Sequence, residues 1–283
     1  MTKTSKVVLS ILLVLVVGLV GGYFGSGLRG GSSGSGSSAA AGQGAWLEKI
    51  RKQGELRVGI ASAPPMTGEQ PDGTMGGPNV LPLKKLAEEL GVKFVPVAAE
   101  WSKMVAGLQA GRFDVAAYLD STSERSLAIQ FTDMVYQYEG AWLVRADSDL
   151  KSTDDVVKAG KVAMATGTSY EKVIGDLGVD VLGSESVPQA VTAMKAGRAD
   201  AVFADLPTLA NAAQQDKSLK VVLPKPSLYL QDSNYGVKDD IDQRSLQVLN
   251  IAIRTAQNDG SLRTAFEKAG VITPETLGDL EMD

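Results

Sequence analysis

The chain has 283 residues, 44% apolar and 22% charged, the balance of a globular chain rather than a disordered one. It contains neither cysteine nor histidine, which excludes disulfides, a Cys nucleophile, Ser-His-Asp catalysis and any metal held by thiolate or imidazole. A net charge of −5 argues against nucleic acid as a partner.

Lys3 and Lys6 precede an apolar run, VVLSILLVLVVGLVGGYF, over residues 7–24. As a helix it would reach about 27 Å, close to the hydrocarbon thickness of a bilayer. Only positive charges precede it, which keeps the amino end cytoplasmic and sends the rest across. Residues 1–24 read as a signal anchor or a cleaved signal peptide, and the length of the run favours the anchor. In residues 25–44, 17 of 20 are Gly, Ser or Ala. Such a segment is a flexible leash with a root-mean-square reach of about 25 Å. The expected location is extracytoplasmic: the periplasm or the outer face of the cytoplasmic membrane, with the N-terminal helix as tether.

From residue 45 helical and strand patterns alternate. LRVGIA (56–61) reads as a strand ending near Pro64-Pro65. In NVLPLKKLAEELG (79–91), Val80, Leu83, Leu86, Ala87 and Leu90 share a helical face, with Asn79 as N-cap and Gly91 as stop. VKFVPVA (92–98) is the next strand, and this order implies a parallel sheet.

VAGLQAGRFDVAAYLD (105–120) returns 86 residues later as VTAMKAGRADAVFAD (191–205). Each is a helix, an Ala-Gly-Arg-x-Asp turn and an apolar strand, with Gly111 and Gly197 ending the helices and Asp114 and Asp200 opening the strands. Two similar α/β lobes follow, and ligands of such sheets sit beyond the strands' carboxyl ends. Those ends are Tyr118-Leu119-Asp120 and Asp205-Leu206. Residues 131–145 are extended and aromatic, suited to cross between lobes, and 221–238 to cross back. The stretch 244–270 reads as two helices broken at Asp259-Gly260. The resulting division is 45–140 for the first lobe, 141–228 for the second and 229–283 for the return to the first.

In order, these segments resemble the type II extracytoplasmic solute-binding proteins, in particular the amino-acid-binding group serving ABC importers. The resemblance rests on LRVGI (56–60) before Pro64-Pro65-Met66, the W-x6-L-x2-G-x2-D spacing from Trp101 to Asp114, S-T-S-E-R (121–125) followed by FTDMVY (131–136), VAMATGTSYE (162–171), ADAVFAD (199–205) and NDGSLRTAFEKAG (258–270). It implies a two-lobed α/β fold, each lobe a sheet flanked by helices, with two hinge crossings. It also implies a binding protein rather than an enzyme, a monomer, with no cofactor and no metal. Its partners would be a small-molecule ligand, an amino acid or similar solute, and an ABC permease.

A zwitterion needs a cation for its carboxylate and an anion for its ammonium; the planar fork of Arg suits the first and Asp the second. The resemblance gives the α-carboxylate to Arg125, with Thr168 and Ser169 adding donors, and the α-ammonium to Asp205. It sets Trp101 against the ligand side chain. Tyr118 and Asp120 depart from the family pattern: Tyr118 shrinks the pocket, and Asp120 either adds a second carboxylate to the site or pairs with Arg125. Asp205 also reads as a helix cap, Thr168 and Ser169 as caps of the helix that follows them, and Trp142, Tyr136 and Tyr138 as hinge packing. A dehydratase resembling this fold carries Glu where this chain has Thr208. A degenerate cleft with an adaptor role is the remaining alternative.

Overall fold

The structure is a computed structural model and describes residues 44–271. The apolar run at 7–24, the leash at 25–44 except Gly44, and the segment 272–283 lie outside the described residues.

The strands are β1 (Glu55–Ile60), β2 (Gly68–Glu69), β3 (Met75–Gly76), β4 (Lys93–Ala98), β5 (Val115–Asp120), β6 (Ile129–Phe131), β7 (Tyr136–Arg145), β8 (Lys161–Ala165), β9 (Asp180–Ser184), β10 (Ala201–Asp205), β11 (Leu219–Val222) and β12 (Leu230–Lys238). Apart from the β2-β3 hairpin they form one continuous path, β4-β1-β5-β12-β7-β10-β8-β9, with β6 on β12 and β11 on β7. β1 runs parallel to β4 and β5, and β12 is antiparallel to β5. The other half repeats the arrangement: β8 runs parallel to β9 and β10, and β7 is antiparallel to β10. Each lobe is thus three parallel strands closed by one antiparallel strand that also reaches the other lobe.

The Ala-Gly-Arg-x-Asp turns explain the likeness of the halves. Gly111 (φ 70°) and Gly197 (φ 74°) take the left-handed conformation that residues with a Cβ resist. The next amide folds back on the helix, Arg112 N–H to Gly107 O at 2.9 Å and Arg198 N–H to Ala193 O at 3.0 Å. Two residues on, Asp114 N–H donates to Arg57 O of β1 and Asp200 N–H to Lys161 O of β8, both at 2.8 Å. One device therefore docks β5 on β1 and β10 on β8. Only Asp114 has a further role: its buried carboxylate accepts from Arg57 Nε (3.0 Å) and Nη2 (2.9 Å), and from Gln53.

β7 changes partner along its length. Residues 136–139 pair with β12, while 140–144 pair with β10 and 142–145 with β11. Around the switch Gly140 N–H donates to Tyr229 O at 2.8 Å. The extended reading of 131–145 is interrupted: β6 ends at Phe131 and β7 starts at Tyr136. The return is likewise in two pieces, β11 and β12, joined by 223–229. Trp142 is fully buried and packs its edge on Phe203, 4.7 Å between centroids, in the core of the second half. Tyr136 meets Phe266 of the closing helix.

The expected helix at 79–91 is present, with one correction. Pro78–Val80 forms a 3-10 turn, the α-helix runs Leu81–Leu90, and no side chain caps it. Asn79 is turned inward and fully buried, its carbonyl accepting from Tyr235 Oη. The Gly77-Pro78 entry takes it off the helix end. Gly91 ends the helix as expected, with φ 69°. The last helices, Gln243–Asn258 and Ser261–Lys268, break at Asp259-Gly260.

Candidate functional site

The carboxyl ends of β5 and β10 face each other across a closed cleft. Trp101, Tyr118, Asp120, Arg125, Tyr138, Thr168, Tyr170, Val187 and Asp205 line a cavity of about 20 Å³, room for about one water molecule. Six of the seven residues singled out in the sequence are wall residues, and the seventh, Ser169, reaches into the wall through Asp120.

Local structure aims each group. β5 carries a bulge opposite Tyr235, between the pairs Ala116–Gly236 and Leu119–Asn234. There Tyr118 has φ 54°, left-handed for a residue with a Cβ, a conformation costing about 1–3 kcal/mol. Asp120 is the last residue of β5. Beyond it Ser123–Ser126 makes one helical turn, capped by Thr122 Oγ1, which accepts from Arg125 N–H at 3.2 Å. The turn sends the guanidinium back over the strand end, where Nη1 donates to Asp120 O (3.0 Å) and Nη2 to Gly167 O (2.9 Å). The second bond crosses the cleft. Arg125 does not pair with the Asp120 carboxylate: it bonds that residue's carbonyl, and no ion pair joins the two side chains.

From the other half, the turn after β8 brings Thr168 and Ser169. Gly167 has φ 82° and donates its N–H to Glu171 Oε2 at 2.9 Å. Thr168 Oγ1 donates to Ala165 O at 2.9 Å, and the Ser169 hydroxyl donates to the Asp120 carboxylate. Neither side chain caps the helix Glu171–Gly175, whose N-cap is Tyr170. Asp205 ends β10 and caps the helix Leu206–Gln215, its Oδ1 accepting from Thr208 N–H at 2.9 Å. It is therefore both a cap and a wall residue. The Tyr118 hydroxyl lies beside the Asp205 carboxylate without a hydrogen bond of ordinary geometry.

Three tyrosines of the site are not among the ligand residues named from the sequence. Tyr138, read as hinge packing, donates from its hydroxyl to the Asp120 carboxylate, 2.9 Å from either oxygen. The Tyr229 hydroxyl lies 3.3 Å from Asp120 Oδ2 and bonds Ser169 Oγ. Tyr170 stands against Tyr229 at 5.8 Å and Phe203 at 5.4 Å. Tyr138 and Tyr229 lie on the two crossings, so Asp120 is met by both crossings and by both halves. Met66 is fully buried outside this wall.

Burial sets the electrostatics. Asp205 is pushed up to about 6, chiefly by loss of water, with the Thr208 N–H opposing and the Asp120 charge assisting. Burial also raises Asp120, against the pull of Ser169, Arg125, Tyr138 and Tyr229. Tyr118, Tyr138 and Tyr170 are raised well above the ordinary phenol value by burial and then by the carboxylates, so they remain donors at neutral pH. Among the described residues no group of three acidic side chains could hold a metal ion.

Residues 56–270 match the sequence pattern of the bacterial extracellular solute-binding proteins, family 3. The chain belongs to that family. Its relatives include a probable amino-acid ABC transporter periplasmic-binding protein, y4tE, of Sinorhizobium fredii, 27% identical over 189 residues. That match covers 63% of this chain and 62% of the relative, so the chain aligns with about three-fifths of it. The L-cystine-binding protein TcyJ of Escherichia coli K12 is 27% identical over 228 residues, 78% of this chain and 85% of TcyJ. Among solved structures, a mutant of ArgBP from T. maritima superposes with a TM-score of 0.71 at 26% identity, over 79% of this chain and 98% of ArgBP. The two-lobed fold expected from the residues is the fold of this solute-binding family.

Proposed function

We propose that the chain is a non-enzymatic extracytoplasmic binding protein that captures a small polar solute, an amino acid or related amine, by lobe closure and delivers it to an ABC importer. One observation carries this reading: Asp120 and Asp205, at the ends of the two repeated strands, share one buried cavity beside the two chain crossings. Relatives named for amino-acid and L-cystine binding support the solute class. The lobes form a monomeric clamp, and an N-terminal helix at 7–24 tethers it to the membrane. The seven residues named from the sequence act as the ligand-binding set. A dehydratase role would need an acid–base group at Thr208, whose hydroxyl supplies none near neutral pH. A thermal-shift screen of the purified protein against amino acids, amines and small carboxylates tests the reading, because a ligand of the folded state alone raises the melting temperature. A flat profile across the panel overturns it.

A further inference from the structure

Several of the side-chain donors that a ligand carboxylate would need already hold partners within the protein. Arg125 gives one N–H of Nη1 to Asp120 O and one N–H of Nη2 to Gly167 O, two of its five donors. Thr168 spends its hydroxyl on Ala165 O, and Ser169 spends its own on the Asp120 carboxylate. Tyr138 and Tyr229 also turn their hydroxyls to Asp120. The side chain of Asp120 therefore sits where the hydroxyls of both halves and both crossings converge, as a carboxylate built into the cleft.

The charged groups in the wall are Asp120, Asp205 and Arg125, so with both acids ionised the fixed charge is −1, from two negatives and one positive. Of the other six wall residues four are aromatic, Trp101, Tyr118, Tyr138 and Tyr170, and two are not, Thr168 and Val187. Trp101 and Tyr118 lie 6.2 Å apart, Tyr118 and Tyr138 6.0 Å, and Tyr138 and Tyr229 6.2 Å between ring centroids. Ring faces and buried carboxylates both attract cations. A ligand carboxylate would stand beside Asp120 and meet like charge. The remaining demand is for acceptors: neither the indole N–H of Trp101, 9% exposed, nor the hydroxyl of Tyr118 has a hydrogen-bond partner among the described residues. A neutral oxygen on the ligand would satisfy it.

We propose that the solute is an organic cation without a carboxylate, an aliphatic amine or ammonium ion, with Asp120 occupying the place of the missing carboxylate and Asp205 paired with the cationic centre. This rests on the solute-binding reading above and narrows its ligand class. Matched pairs isolate the carboxylate, since the members of each pair share the same cationic side chain: agmatine with L-arginine, putrescine with L-ornithine and cadaverine with L-lysine, with choline as a quaternary probe.

The test is calorimetry of the purified protein with each probe. The expected result is that the amine of at least one pair binds tenfold or more tightly than its amino acid. Asp120→Ser and Asp120→Asn, each verified as folded by its melting transition, should reduce that preference to below about threefold. An amino acid that binds as tightly as its amine, or more tightly, overturns the proposal while leaving the solute-binding reading intact. Binding of other carboxylate-bearing amino acids alone has the same meaning. Silence toward every amine and every amino acid overturns both.

Discussion

Gly167 faces Ser102 across the cleft so closely that a Cβ on Gly167 would stand 2.4 Å from Ser102 Cα and 2.6 Å from its N. Both obstructing atoms are backbone and cannot swing aside. Gly167→Ala should therefore hold the lobes apart, and its left-handed φ of 82° adds strain of about 1 kcal/mol. Calorimetry should show at least a tenfold loss of affinity. Small-angle scattering should show saturating ligand reducing the radius of gyration of the parent and leaving that of the variant unchanged. A variant that closes and binds normally would refute the assignment of this contact to closure.

Asp205 separates two roles that a single substitution to Ala would confuse. Asp205→Ala removes both the charge and the cap of the helix Leu206–Gln215, and loss of a cap costs about 1 kcal/mol. Asp205→Asn keeps an oxygen for Thr208 N–H and removes the buried charge. The Asn protein should melt no lower than the parent at pH 7.5 and bind a cationic ligand roughly thirtyfold more weakly. Equal loss of stability in both variants would count against a buried, strained charge.

The pH dependence of folding has a defined sign. The folded-state value of Asp205, about 6, lies above that of an unfolded aspartate, so between the two the folded state binds more protons. Ligand-free stability should fall as pH rises from about 4 to about 6, by at most about 3 kcal/mol from this group. Asp120, also raised, acts in the same direction. Cation affinity should run the other way, falling as pH drops below about 6 and the partner carboxylate is protonated. Denaturant titrations and calorimetry at pH 4.5, 6 and 7.5 measure both trends, and Asp205→Asn should flatten them.

Asp114 is a structural counterpart with no place in the cleft. It is 2% exposed at its side chain and held by both forks of Arg57. Asp114→Ala should cost about 1–3 kcal/mol of stability by taking the acceptor from the Arg57 fork, the Arg57 backbone N–H and Gln53, with ligand affinity at full occupancy of the folded state unchanged. Asp200→Ala, at the matching position without such a partner, should cost much less.

The leader carries its own expectation. Fractionation should find the protein with membranes, and protease treatment of intact cells or spheroplasts should release a fragment starting near residues 30–45. A wholly soluble protein with a processed amino terminus would exclude the anchor.

The doubled lobe was legible because the turn chemistry is local: Gly111 and Gly197, with the aspartates three residues on, state it in five residues each. The strand ends were legible for the same reason, since Asp120 and Asp205 close apolar runs. The partners of Asp120 were not. Tyr138, Ser169 and Tyr229 come from positions 18, 49 and 109 residues away, and each sits in a segment whose pattern is that of ordinary strand or turn. Asn79 misled because a capping residue and a buried amide look alike until the preceding Gly77-Pro78 fixes the chain direction. Asp120 at the end of β5 invites a pairing with Arg125, but the one-turn helix carries the guanidinium to carbonyls instead.

The exchange of partners along β7 has a mechanical corollary. The β7 crossing is not a slack joint. Glu139 is paired with Leu230, and its neighbour Gly140 is already paired with Asp205. Opening the cleft must therefore wind a hydrogen-bonded two-strand ribbon about its long axis, distributing the rotation over several peptide units. Such a ribbon acts as a torsion spring, with a resting angle set by the pairing and a restoring torque at every other angle. Substitutions on the outer faces of β7 and β12, far from any solute, would then reset the resting angle and with it the fraction of molecules that are shut before a solute arrives.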